Sequence, residues 1–299
     1  MAQKVIPQFN PKNLPTKNTT LARQVARQNL TTLNNALWVT EHSHTLIKSA
    51  FSSITMPTGV TEHGCFGSEK QWSDAAVEQH LWVRQHILVS AASLLEVYLT
   101  TAISESLWAS PEYADRSLTG VREIELIKFS ERAPRLEKII QKLVKGIVAG
   151  EWIQRTRQMA ITFGKLPSRL TALVPRLQAL QDKRNRIAHE FGRSSKELRR
   201  TPWAPIETIK LEVSDVEEAL TIVSETIREA DVHVFGPLIG GYEFLYEYHT
   251  WLNGFDSQFT KPEPGLREPY FRKHIADKFG NGPNKKYYLS LIRYYEDSK

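Results

Sequence analysis

Apolar residues recur at spacings of three and four between residues 73 and 107, and this period constrains the fold more than any other feature of the sequence. Such a period is typical of a helix that buries one face in a protein core. The helix is expected to end at Ser110-Pro111, because proline disfavours helical geometry in the residue before it. The expected buried face consists of Ile87, Ala91, Leu94, Leu95, Tyr98, Leu99 and Ala102. The sequence therefore predicts a protein built mainly from α-helices.

Other segments of the chain carry helical signals of the same kind. A first helix is predicted to begin after the capping residues Asn18-Thr19-Thr20 and to run past Leu37. The run from about 168 to 191 contains Pro175, which implies either a kink or a later start with the proline in the first turn. The remaining predicted helices cover approximately residues 134–148, 214–230, 240–252, 268–279 and 284–296.

The segment that precedes the helix at 214–230 has a different pattern. Residues 209–213 alternate between apolar and polar side chains, as in a short strand. Ser214 and Glu217 then match the Ser-x-x-Glu pattern of a capping box, in which the two side chains bond free N–H groups at a helix start. We therefore expect a brief strand-like segment followed by a helix that begins at Ser214.

The sequence is predicted to divide into three consecutive segments. Residues 1–70 form an arm with Pro7, Pro11 and Pro15, followed by a helical extension; residues 71–236 form a helical bundle; and residues 237–299 form an aromatic-rich, basic extension. The formal net charge is +6, and the two ends carry most of the excess of Lys and Arg. Basic ends attract polyanions such as nucleic acid, although lysine-rich ends also serve solubility alone, and both interpretations stay open here.

Several classes of protein are not expected. Cys65 is the single cysteine, so no internal disulfide forms, and no run of about 18 consecutive apolar residues indicates a membrane span. The first residues have no apolar core of a secretory signal, so we expect a cytoplasmic protein without a membrane partner. No glycine-rich phosphate loop and no Gly-x-Ser-x-Gly turn occurs, and no cofactor is expected. Glu41, His42, His44, His63 and Cys65 match no zinc spacing, so no metal is expected either.

The segment from Gln181 to Glu190, which reads QDKRNRIAHE, is the most informative part of the chain. Arg184 is followed by the polar residue Asn185, then by Ile187-Ala188, and then by His189. This pattern resembles the signature of the HEPN superfamily, in which an arginine is followed four to six residues later by a histidine. Upstream, Leu177 and Leu180 fit the leucine spacing that usually precedes the signature. The resemblance covers approximately residues 73–231 and implies a HEPN-like up-down helical bundle, here with additional N- and C-terminal helical extensions.

The resemblance also implies a function. Many members of the superfamily are metal-independent ribonucleases, and pairs of protomers place their motifs face to face. This implies a homodimer that cleaves RNA, with Arg184, Asn185 and His189 as catalytic residues. In prokaryotes such proteins act as toxins or in phage defence, which implies an antitoxin or a defence-system partner. Other relatives are non-catalytic modules that bind RNA, a nucleotide or a protein, and this alternative stays open.

Helical geometry refines the expected site. At about 100° per residue, Arg184 falls in the middle of an apolar face formed by Leu173, Leu177, Leu180, Ile187 and Phe191. Asp182, Asn185 and His189 fall on a second stripe, and Arg184 and His189 lie about 140° apart. The helix therefore distorts at the motif, or a second copy completes the site. Glu96, on the longest helix, is the expected structural partner of Arg184, and such a pair would not exclude catalysis.

The expected chemistry is attack by the ribose 2′-hydroxyl on the adjacent phosphate. His189 is suited to move the proton, because histidine titrates near neutrality, although it could instead only stabilise the end of the helix dipole. The Arg184 guanidinium is suited to hold the charged phosphate, and Asn185 to orient the phosphate or His189. Lys183, Arg186, Arg272, Lys273, Lys285 and Lys286 are candidate RNA contacts. The last four alternate with aromatic residues, which could stack on RNA but are more typical of a small core with a solvated basic face.

Overall fold

The computed structural model describes residues 9–13, 19–51, 68–128, 133–190, 209–255, 262–280 and 282–298, without the side chains of residues 47, 48, 50, 51, 69, 133, 189 and 190. Regular structure within these ranges is helical, and no strand occurs in them. The prediction of a mainly α-helical protein is therefore confirmed.

Twelve α-helices are numbered here in chain order within the described ranges. They are α1 (Leu21–Phe51), α2 (Glu69–Ala109), α3 (Glu123–Lys128), α4 (Ala133–Val148), α5 (Trp152–Phe163), α6 (Ser168–Ala172), α7 (Val174–Glu190), α8 (Val213–Ala230), α9 (Gly236–Ile239), α10 (Tyr242–Asn253), α11 (Arg267–Phe279) and α12 (Lys285–Asp297). A π-helical turn, Asp231–Phe235, joins α8 to α9.

The chain forms two compact units, each assembled from separated stretches of sequence. The first comprises residues 1–26, 96–174 and 226–299, and the second comprises residues 27–95 and 175–225. This division differs from the three consecutive segments expected from the sequence. Whether residues 1–70, 71–236 and 237–299 are functional domains stays a prediction.

The second unit contains parts of α1, α2, α7 and α8. Its core is aliphatic, and Leu37, Leu88, Ala91, Leu177 and Val223 are fully buried in it. Ion pairs connect the helices at its edges: Arg84 on α2 binds Glu41 on α1, and Arg176 on α7 lies near Glu218 on α8. The predicted face of α2 is confirmed: Ile87 and Leu95 are buried here, and Leu94 alone of the predicted set is half-buried.

The first unit contains an aromatic core in its C-terminal part, where α10, α11 and α12 pack together. The Tyr248 ring lies edge-on to Phe271 and to Tyr295, with 5.0 Å between ring centroids in each pair. Phe9 from the N-terminal arm joins this core and contacts Tyr287. The three short helices predicted for this part of the chain are confirmed, because α10, α11 and α12 lie within a residue or two of the predicted bounds.

Local sequence signals identify most helix starts correctly. The Thr20 Oγ1 atom accepts a hydrogen bond from the Arg23 N–H at 3.1 Å, as expected for a residue that caps α1. A short helix, α6, ends at Ala172, and α7 begins at Val174 with Pro175 in its first turn. The later start considered for this region is therefore confirmed. Helix α5, which packs against α4, was not predicted from the sequence, and neither were the short helices α3 and α9.

Two expectations about the start of α8 are wrong. Residues 209–212 form no strand, because side chains of α2 satisfy their carbonyl groups: Gln85 donates to Ile209 O and Arg84 donates to Leu211 O. The capping box at Ser214 and Glu217 does not form, because α8 begins at Val213. Asp215 Oδ2 instead accepts from the Glu212 N–H at 3.0 Å, so the helix start lies nearer the N-terminus than predicted.

One described helix is long and apolar enough to cross a membrane when only length and composition are considered. This helix lies within α2, and its most apolar part is 44% buried inside the protein. Core helices of water-exposed proteins meet the same criterion, so this feature is weak evidence for a membrane span.

Candidate functional site

Helix α7 carries the Arg-x4-His motif in its C-terminal half. Leu177 and Leu180 are buried, and Leu173 just before the helix is buried as well. These residues fix the orientation of α7, because one apolar face is held in the core. Ile187, the next residue of the predicted face, is half-buried, and Phe191 lies outside the described residues. The predicted apolar face is thus confirmed up to the motif.

Arg184 continues this face of the helix beyond Leu177 and Leu180, and it is half-buried. Its Nη1 atom donates a hydrogen bond to Asn185 Oδ1 at 3.0 Å. An arginine that is partly removed from water interacts more strongly with an anion than a fully solvated one does. The contact with Asn185 restrains the guanidinium, and it brings together two of the three residues that the sequence assigns to catalysis.

His189 belongs to α7, and its side chain lies outside the described part of the structure. The α-helical geometry continues from Val174 to Glu190, so the backbone is not distorted at the motif. The positions of Arg184 and His189 on a regular helix are about 140° apart. Of the two possibilities raised by the sequence, distortion of the helix is therefore excluded within α7.

The two residues before Arg184 have partners that the sequence analysis did not name. The Lys183 Nζ atom lies 2.6 Å from Asp215 Oδ1 on α8, and this contact lowers the pKa of the Asp215 carboxyl. Asp182 is exposed and accepts a hydrogen bond from Gln178 Nε2 at 2.9 Å. The spacing of four residues between Gln178 and Asp182 predicts their contact from the sequence. No neighbouring residue in the sequence predicts the contact between Lys183 and Asp215.

Glu96 has a different neighbour from the one expected. Arg155 on α5 places Nη2 3.5 Å from Glu96 Oε1, and both residues belong to the first unit. Arg184 belongs to the second unit, and the Arg184–Glu96 pair stays a prediction.

The basic residues of α11 and α12 form a partly neutralised surface. Arg272 lies 3.4 Å and Lys285 3.9 Å from the buried carboxylate of Glu268, whereas Lys273 and Lys286 are exposed. Among the intervening rings, Phe271 and Tyr288 are fully buried in the aromatic core, whereas Tyr270 is 55% exposed. Phe271 and Tyr288 are therefore not accessible to stack on RNA, which agrees with the interpretation of a small core below a basic face, whereas the Tyr270 ring is accessible.

The residues considered for a metal site have other contacts. Glu41 forms a bidentate ion pair with Arg84, and its Oε1 atom also lies 2.7 Å from His80 Nε2. His63 and Cys65 lie outside the described residues. Among the residues that the structure describes, no cluster of three or more His, Cys, Asp or Glu residues has a metal-binding arrangement.

Comparisons of the chain with models of protein families, with curated proteins and with solved structures give no match.

Proposed function

We propose that this protein is a metal-independent endoribonuclease of the HEPN type, which acts as a toxin or a phage-defence effector. The observation that carries the proposal is the position of the motif: Arg184, Asn185 and His189 lie on one continuous helix, and Arg184 is hydrogen-bonded to Asn185. The HEPN-like bundle, the homodimer, the cytoplasmic location and the antitoxin or defence-system partner belong to the same proposal.

The unbroken α7 supports a site that two copies of the chain form together. Because Arg184 and His189 occupy different sides of a straight helix, one copy does not assemble a compact site from α7 alone. Two helices related by a twofold axis can place Arg184 of one protomer near His189 of its partner. Each protomer then contributes a group that binds phosphate and a group that transfers a proton.

In the proposed reaction a histidine removes the proton of the ribose 2′-hydroxyl, and the oxygen attacks the adjacent phosphorus. Arg184 stabilises the additional negative charge on the phosphate oxygens, and Asn185 orients the guanidinium. The departing 5′-oxygen is then protonated, either by the same histidine or by His189 of the partner protomer. The products are a 2′,3′-cyclic phosphate and a free 5′-hydroxyl.

Cleavage of mixed cellular RNA in excess EDTA tests the proposal. Wild type is compared with His189→Ala and Arg184→Ala, and the 3′ ends of the products are analysed for cyclic phosphate. We expect cleavage by wild type and a loss of about 100-fold or more in each variant, because each group acts in the transition state. Circular dichroism of each variant establishes that its helices are retained.

Matched control variants separate the site from a general effect of charge. Arg186→Ala removes an exposed arginine two residues from Arg184, and His42→Ala removes an exposed histidine of α1. His42→Ala is expected to retain the activity of wild type. Arg186 is a candidate RNA contact and not a catalytic residue, so Arg186→Ala is expected to lose activity only several-fold. If wild type binds RNA and leaves it intact, the non-catalytic module is the better interpretation. Equal losses in Arg184→Ala and Arg186→Ala would indicate that the basic surface, rather than a catalytic arginine, is responsible.

A further inference from the structure

A cavity of about 430 Å³ lies in the first unit, between helices α2, α3, α4 and α10. No part of α7 lines it, so it is separate from the proposed ribonuclease motif. Its volume is within the range of small-molecule sites in proteins. The polar and aromatic residues that line it include Glu105, Trp108, Glu137, Tyr242, Tyr246 and His249.

Glu105 is the unusual group of this cavity. It lies on α2 between Ser104 and Ser106 and is half-buried, and the described residues that line the cavity include no Lys or Arg beside its carboxylate. Burial raises the pKa of Glu105 to about 7. A carboxylate that is partly removed from water is less stable in its charged form, and a ligand that supplies a positive charge offsets this penalty.

The other ionisable groups of the cavity do not supply that charge. His249 Nδ1 lies 2.6 Å from Tyr295 Oη, and His249 Nε2 lies 2.9 Å from the Asn253 amide nitrogen. Because that amide group donates, Nε2 accepts, and burial lowers the pKa of His249, so the imidazole is neutral. Glu137 is exposed at the rim, and Lys or Arg is absent from the described lining.

Three aromatic residues also line the cavity. Trp108 is half-buried on α2, and the rings of Tyr242 and Tyr246 on α10 are 6.1 Å apart with their planes 20° apart. The faces of such rings carry partial negative charge and attract cations. A half-buried carboxylate next to aromatic faces is a combination that favours an organic cation over a neutral or anionic ligand.

We propose that this cavity binds a small organic cation of the alkylammonium class, with Glu105 as its counter-ion and the rings of Trp108 and Tyr246 around its alkyl groups. The site is independent of the proposed ribonuclease activity. Glu105 and Tyr246 touch the ligand, and the ligand enters past the exposed Glu137.

Choline and 3,3-dimethylbutan-1-ol provide a matched pair of probes, since they share shape and differ in charge. The melting temperature of the full chain is measured at pH 8 with each probe, and calorimetry gives the affinity. Choline at about ten times its Kd is expected to raise the melting temperature by roughly 2–4 °C, and the alcohol to leave it unchanged. Equal shifts with both probes, or none with choline, would overturn the proposal.

Variants localise the binding. Glu105→Gln is expected to abolish the choline shift, while Glu78→Gln, an exposed carboxylate on the same helix, retains it. Tyr246→Leu changes a side chain that is 49% exposed, so the fold tolerates it, and choline affinity is expected to fall several-fold. Binding that survives both Glu105→Gln and Tyr246→Leu would place the ligand elsewhere and refute the assignment. RNA cleavage by Glu105→Gln is expected to equal that of wild type.

The pH dependence gives a further readout. Glu105 is faced by Glu137 on α4 and by Tyr242, Tyr246 and His249 on α10, and Glu243 lies near enough to interact with it. Because the cation binds the ionised carboxylate, choline affinity is expected to rise between pH 6 and pH 8, and binding is expected to release a proton. An affinity that is constant across this interval would contradict the role of Glu105.

Discussion

Lys183, the residue before Arg184, places its Nζ atom 2.6 Å from Asp215 Oδ1. The other oxygen of the same carboxylate accepts the N–H of Glu212 at 3.0 Å and thereby caps α8. One aspartate thus holds the start of α8 and the part of α7 that carries the motif. Its two contacts explain why α8 begins at Val213 and not at Ser214.

Replacing Asp215 by alanine is expected to destabilise the protein by about 1–2 kcal/mol, mainly through the lost cap, because the ion pair is partly exposed. Urea unfolding at pH 7 measures the change. The pKa of Asp215 is lowered in the folded state, so its contribution is present above the ordinary pKa of 3.8 and is lost as the pH falls below it. Asp182→Ala, which removes an exposed carboxylate of α7, is the control. If Asp182→Ala lowers the free energy of unfolding by the same amount, the two contacts of Asp215 are not the cause of the loss.

The proposed two-copy site leads to an expectation about mixed dimers. If Arg184 of one protomer acts with His189 of its partner, an Arg184→Ala subunit and a His189→Ala subunit together retain one complete pair. Equal amounts of the two inactive variants, allowed to exchange subunits, are then expected to recover roughly a quarter of the wild-type activity, because half of the dimers are mixed and each has one of two sites.

The same mixture distinguishes between mechanisms. If one reaction requires both histidines, as base and acid, the dimers of Arg184→Ala with His189→Ala stay inactive. Dimers that pair a His189→Ala subunit with a wild-type subunit are then inactive as well. A site within one protomer also gives no recovery in the first mixture, but the mixed dimers with wild type keep half of their activity. Size-exclusion chromatography with light scattering provides the control, since a monomeric protein contradicts the two-copy site directly.

The sequence predicts those parts of the fold that depend on contacts within a helix. The sequence signals are local for the apolar face of α2, for the cap at Thr20 and for the start of α7 with Pro175 in its first turn: each depends on residues no more than a few positions apart. Residues 209–212 were interpreted incorrectly because their carbonyl groups are satisfied by Gln85 and Arg84, more than a hundred residues away. Alternation of side chains does not reveal such distant donors.

The same limit applies to the candidate sites. Arg184 and Asn185 are adjacent in sequence, so their contact was accessible to sequence analysis. The cavity beside Glu105 combines residues of four helices that are distant in sequence. The only feature of the local sequence that points to this cavity is a carboxylate within the most apolar helix. A solvent-exposed residue beside the buried face of that helix would give the same pattern.

Replacing Gly240 by alanine is expected to destabilise the first unit by at least about 1–3 kcal/mol. Gly240 has φ of +54°, and a Cβ atom there would lie 2.1 Å from Pro11 O. The neighbouring Gly241 N–H donates to the same carbonyl at 2.6 Å, so the N-terminal arm is held against this turn. Thermal unfolding measures the effect.

Gly146→Ala is the matched control for Gly240→Ala. Gly146 lies within α4, and a Cβ atom there meets no atom within 4 Å among the described residues. Alanine is the better helix former, so this change is expected to stabilise the protein by about 0.5–1 kcal/mol. If both variants are stabilised, the arm does not pack on Gly240 as described.

Glu41→Gln is expected to destabilise the second unit by about 3 kcal/mol at pH 7, because it leaves the largely buried Arg84 without its anionic partner. Arg84 Nε and Nη2 donate to the two oxygens of Glu41 at 2.7 and 2.8 Å, and these bonds, with His80, lower the pKa of Glu41 to about 2. A lowered folded-state pKa means that the stabilisation is complete above the unfolded pKa of 4.5 and disappears as the pH falls to about 2.

Urea unfolding between pH 7 and pH 2 measures this dependence, and the free energies of unfolding of wild type and Glu41→Gln should converge in acid. Glu78→Gln, an exposed carboxylate on α2, should follow wild type throughout. A difference between wild type and Glu41→Gln that persists unchanged at pH 2 would mean that the pair stabilises the unit through shape and not through charge.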